Sequence, residues 1–160
     1  MTLSFSVRRV LYTAPAIRRK GCRIELSSIM QRFHMIFGGA AFVLFLITGQ
    51  LMIAHFPEKE SMDQALRLLT RSRHIYILFS ALLHLALGIY FKWSSINWLR
   101  RIQTAGSILL TVGTVLLSAA FLVESYSSMT FTIISAVGIF LAFGGVALHL
   151  SGLSADPAKS

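Results

Sequence analysis

Charge vanishes from this chain in four long runs. No formal charge occurs from Met35 to Ala54, from Ile75 to Phe91, from Ile102 to Val123, or from Ser125 to Ala155. At about 1.5 Å per helical residue each run reaches across roughly 30 Å of hydrocarbon, the second near the lower limit. A bilayer offers no water to bond exposed backbone amides, so apolar runs of this length are helices. The pattern predicts an all-α integral membrane protein. Its four antiparallel transmembrane helices fall at about 33–55, 74–92, 102–124 and 129–151, in an up-down-up-down bundle joined by short connections.

The longest connection has a pattern of its own. Met62, Ala65, Leu66 and Leu69 share one helical face, while Asp63, Gln64, Arg67 and Arg71 lie away from it. Ser61 followed by Gln64 fits a capping box. The spacing predicts a short amphipathic helix near 62–71, lying in the membrane interface. Trp93, Trp98, Arg100 and Arg101 form an interfacial anchor between the second and third spans.

Within the spans, a 3,4 spacing picks out seams of small or polar residues, which membrane helices use to pack closely. The first seam runs His34, Gly38, Ala41, Phe45, Thr48, Met52, His55, and the second His74, Ile77, Ala81, His84, Gly88. The third is a hydroxyl stripe, Thr104, Ser107, Thr111, Thr114, Ser118, and the fourth is Ser135, Gly138, Ala142, Gly145, His149, Gly152. All five histidines fall on these seams.

Composition agrees with a membrane setting: 55% of residues are hydrophobic and 13% charged, with a mean hydropathy of +0.70. The 160 residues make one membrane domain over 30–153, preceded by a basic segment 1–29 and followed by a short tail 154–160. Cys22 is the sole cysteine, which excludes an internal disulfide and any multi-cysteine metal site. The net charge of +9 does not point to nucleic acid, because the basic residues cluster at the amino end. Arg8, Arg9, Arg18, Arg19, Lys20 and Arg23 precede the first acidic residue, and anionic lipid headgroups are the partner such a cluster expects. Segment 1–29 lacks the apolar core of a secretory signal and is expected to be disordered. It reads as a tail ahead of an alternative start at Met30, as an organelle transit peptide, or as a basic arm. Lysine and arginine are richer on the side of the termini, which places both ends in the cytoplasm of a cell with the chain in its inner membrane; the mitochondrial inner membrane is the alternative.

Chemistry inside the membrane rests on histidine. Counted from the ends of the charge-free runs, His55 and His74 pair at the outer edge, His34 and His149 pair at the inner edge, and His84 stands alone near the midplane facing Thr111 or Thr114. Imidazole pairs in a four-helix bundle are axial ligands for haem b, so these five are the candidate cofactor residues. Their spacing is poor for two buried haems, since His34 and His55 are 21 residues apart, about 31 Å of helix. Met52, His55, Met62 and His74 offer a soft metal set as a variant. An ionisable group such as His84 at the bilayer centre is a functional-site hypothesis in itself. No acidic or basic side chain lies in the charge-free runs, and no phosphate loop, nucleophile elbow or HExxH motif occurs. The expectation is a non-catalytic accessory or scaffold subunit that packs against other membrane proteins or copies of itself. A haem-binding or quinone-interacting redox subunit is the alternative, and a carrier or proton relay through His84 comes third.

Overall fold

The computed structural model describes residues 14–55, 63–124 and 133–154, with side chains over 27–54, 63–124 and 133–152. These residues form α1 (Ala14–His55), α2 (Gln64–Tyr90), α3 (Asn97–Glu124) and α4 (Ile133–Ser154). Each carries a stretch long and apolar enough to cross a membrane. The protein is a four-helix membrane bundle.

Neighbouring helices run antiparallel, as their facing residues require. His34 meets His84 while Thr48 meets His74, so α1 descends as α2 rises. Arg73 meets Glu124 at one end of the α2–α3 pair, and Gln103 meets residues 92–94 at the other. Along α3 and α4, Gly106 faces Gly145 and Gly113 faces Gly138. This last pairing explains the close approach of the two helices. A Cβ on Gly145 would lie 2.6 Å from the Gly106 carbonyl oxygen, and one on Gly113 would lie 2.8 Å from that of Gly138. Only glycine lets the backbones touch there.

Packing is heaviest within the α1–α2 and α3–α4 pairs, and α2 also lies against α3 and touches α4. Helix α1 packs closely on α2, and α2 contacts each of the other three helices.

Two boundaries differ from expectation. Helix α1 begins at Ala14, so residues 14–29, expected to be disordered, continue the first span as helix, while residues 1–13 lie outside the described ones. Residues 64–71 do not form a separate interfacial helix; they are the opening turns of α2, which has no break before Tyr90. On α1 the apolar stretch among the described residues, Ser27–Ala54, takes in Arg32 and His34. Charge counting failed here because helical hydrogen bonding continues through charged residues as long as their long side chains can reach water.

The buried faces match three of the four seams. The α4 seam is buried throughout, from Ser135 to Gly152, and on α2 Ile77, Ala81, His84 and Gly88 are buried. The α3 seam is turned by about one position. Its buried face carries Gln103, Gly106, Ser107, Leu110, Gly113, Thr114, Leu117, Ala120 and Phe121, whereas Thr104 is exposed and Thr111 and Ser118 are half-buried. Thr104, Thr111, Thr114 and Ser118 each donate to a carbonyl four residues back on α3. A hydroxyl satisfied by its own helix has no need of the interior.

Candidate functional site

Three histidines from three helices converge at one end of the bundle. His34 of α1 and His84 of α2 are both 0% exposed and His149 of α4 is 1% exposed. Small residues make room for them: Gly38 sits against the His84 Cβ, and a Cβ on Gly88 would strike Met35 at 2.5 Å. The α2–α3 connection closes this end. Phe91 leaves the helix with an extended backbone, and its carbonyl accepts from Gln31 Nε2 at 3.0 Å. Gln103, itself fully buried, accepts from the Ser94 amide at 3.0 Å and donates to the Lys92 carbonyl at 3.1 Å. The pinned turn holds the Phe91 ring inside, 5.8 Å from the His34 ring and 4.9 Å from that of His149, centre to centre.

His34 Nδ1 and His84 Nδ1 are 2.8 Å apart, and His34 Nε2 is 3.1 Å from Ser107 Oγ. One proton lies between the two rings, so one Nδ1 donates to the other. His84 Nε2 is buried without hydrogen-bond geometry. The chain of contacts joins Ser107 of α3, His34 of α1 and His84 of α2. Both ring nitrogens of His149 are buried without hydrogen-bond geometry, with the Gln103 backbone beside the ring.

A second polar cluster closes the opposite end. Arg73 and Glu124 are 2% and 6% exposed, with Arg73 Nε 3.3 Å from Glu124 Oε2. Arg73 Nη1 donates to the Glu124 backbone carbonyl at 2.7 Å. The same carboxylate accepts from the Ile134 amide at 2.9 Å and from the Ser135 hydroxyl at 2.5 Å. Glu124 therefore ends α3, caps the first turn of α4 and neutralises an arginine of α2. Beside it, His74 Nδ1 is 3.1 Å from Thr48 Oγ1, and its ring stacks on Phe45 at 4.2 Å.

These placements regroup the expected histidines. His84 lies inside the bundle, but its partner is His34 and not Thr111 or Thr114, whose hydroxyls bond to α3 carbonyls. His34 and His84 therefore lie at one depth, and His149 faces His34 across Phe91. His55 ends α1, but its side chain lies outside the described ones, as does Met62, so the expected outer pair with His74 and the soft metal set are not formed by described groups. Among the described residues no three ligating side chains are grouped closely enough to hold a metal ion. Haem does not fit the inner cluster as folded. Axial ligation puts an iron between two imidazoles, whereas His34 and His84 touch nitrogen to nitrogen and Phe91 fills the space before His149.

Arg73 and Glu124 escaped the sequence reading because they flank the charge-free runs. The available signal was their position: in antiparallel neighbours, the start of one run and the end of the next are brought together. No protein-family model, curated protein or solved structure matches the chain.

Proposed function

We propose that this is a non-catalytic integral membrane protein, a small accessory subunit that offers helix surface to other membrane proteins. The observation that carries the reading is the filling between the two polar clusters. Ile77, Ala81, Leu110, Leu117 and Ala120 are buried to 2% exposure or less. The hydroxyls at that depth turn onto their own helices. Protons or ions crossing the membrane need a continuous polar path, and dry apolar packing at this depth argues against a carrier or relay through His84. The polar groups are placed as ties between helices. Helix α1 packs on α2, and a Cβ on its Gly39 would meet no atom within 4 Å. That uncovered face is where a partner helix would pack. A cytoplasmic-membrane location with both termini inside accompanies this reading on the lysine and arginine distribution.

His84 Nε2 and the two ring nitrogens of His149, buried without hydrogen-bond geometry, favour the second reading, a bound redox cofactor or quinone, which requires Phe91 to move. Two measurements separate the readings. Photo-crosslinkers placed at Val43 and Ile47 in native membranes should yield discrete protein adducts. The purified protein should show no Soret band. A Soret band abolished by both His34→Ala and His84→Ala, or crosslinks to lipid alone, would overturn the accessory reading.

A further inference from the structure

A groove opens sideways between α1 and α2 at the end that carries Arg73 and Glu124. It encloses about 360 Å³, with Phe45 and Ile53 among its apolar walls and Gln50, Arg67, Arg71 and His74 as its polar rim. The depth is that of lipid headgroups, because charge ends at Arg73 on α2 and the apolar stretch of α1 ends at Ala54. Among the described residues that line it, none is a carboxylate. Arg71 is exposed and makes no ion pair among the described residues; Gln50 is exposed and makes no hydrogen bond among them. The arrangement offers one guanidinium and one amide donor to a single anionic group, above walls that suit an acyl chain.

His74 adds a more selective feature. Thr48 has one hydroxyl proton, and it points to the Leu44 and Phe45 carbonyls at 3.0 and 2.9 Å. Thr48 Oγ1 therefore accepts from His74 Nδ1–H, which leaves His74 Nε2 as a bare acceptor. That nitrogen faces Gly49, where a Cβ would lie 3.4 Å from it, so the missing side chain keeps it open to the groove. An anion alone would leave this acceptor unmatched. A ligand that matches the whole rim carries a negative phosphodiester for Arg71 and Gln50 and a hydroxyl that donates to His74 Nε2.

We propose that the α1–α2 groove is a binding site for a phospholipid whose anionic headgroup bears a free hydroxyl, of the phosphatidylglycerol type. The site is separate from the basic amino-terminal segment and independent of the accessory role.

Native mass spectrometry of the full chain tests it with three lipids of identical acyl chains. Phosphatidylglycerol supplies charge and hydroxyl, phosphatidylmethanol supplies charge alone, and phosphatidylcholine supplies neither. Retention should fall in that order. Arg71→Gln should lower phosphatidylglycerol retention about five-fold, the worth of one cation at an anionic surface. His74→Phe, which keeps a stacked ring on Phe45, should bring phosphatidylglycerol down to the phosphatidylmethanol level and leave phosphatidylmethanol unchanged. Equal retention of phosphatidylglycerol and phosphatidylcholine would overturn the proposal. So would a phosphatidylglycerol preference that survives Arg71→Gln, which would locate the lipid elsewhere. An unchanged preference over phosphatidylmethanol in His74→Phe would remove the hydroxyl contact and with it the assigned lipid.

Discussion

A buried imidazole that bonds to another imidazole is harder to replace than one that bonds to a hydroxyl. A threonine deprived of its partner can turn to its own helix; His34 Nδ1 cannot, since the ring is fixed between Ser107 and His84. His84→Leu should therefore destabilise by about 1–3 kcal/mol, the cost of an unpaired buried donor. His34→Leu should cost a similar amount, and the double variant should cost clearly less than the two single losses added together. Ser107→Ala should cost about 0.6 kcal/mol, the average for a hydrogen bond in a membrane. Unfolding of the purified protein in mixed micelles by added dodecyl sulfate measures all four. The sequence showed that His34, His84 and His149 lie on inward seams, because the 3,4 spacing is local. That His34 and His149 come together was legible. That His84 joins them was hidden, because it depends on how far the helices are shifted along one another, which spacing within one helix does not record.

At the scale of helices, two kinds of contact hold the bundle, and each predicts a distinct response. The α3–α4 crossing is a backbone contact, so Gly145→Ala must push a methyl against the Gly106 carbonyl and force the helices apart. We expect a loss of about 1–3 kcal/mol. Gly39→Ala on the open face of α1 should be neutral or slightly stabilising, since alanine favours helix and meets nothing there. The Arg73–Glu124 contact is electrostatic, and removing Arg73 takes a counter-charge from a buried carboxylate. Arg73→Leu should cost about 3–5 kcal/mol. Adding Glu124→Gln should recover much of that, because glutamine drops the charge while still accepting from the Ile134 amide. Thermal unfolding followed by Trp93 and Trp98 fluorescence measures these differences. The α4 seam was legible in full because its inward residues are small and its outward ones bulky. The α3 seam was misread by one position because hydroxyls were given more weight than Gly106 and Gly113, whereas backbone approach decides which face turns inward.

On the scale of the molecule, the interior has polar ends and a dry middle. Reconstituted in liposomes, the protein should dissipate a pH gradient no faster than protein-free vesicles; a rate that rises with protein content and falls in His84→Leu would instead reveal a conducting path. The four spans were legible in the charge pattern, and the way they touch was not, because a ring and a hub share the same hydropathy profile. Here α2 is the hub. Its inward positions serve several neighbours at once: Gly88 accommodates α1 at Met35, His84 reaches His34 and borders the Leu110 carbonyl, and Arg73 ties to Glu124.

A hub makes the chain severable on one side. If the peptide is cut between His55 and Gln64, the α2–α4 piece keeps both the glycine crossing and the Glu124 knot, and α1 loses only its tether. The two pieces, expressed together, should find each other in the membrane and co-purify. A cut between Glu124 and Ile133 separates the carboxylate from the helix it caps, and should reassemble far less well. The molecule thus has a detachable first helix on a three-helix body, and insertions between α1 and α2 should be its most tolerated changes.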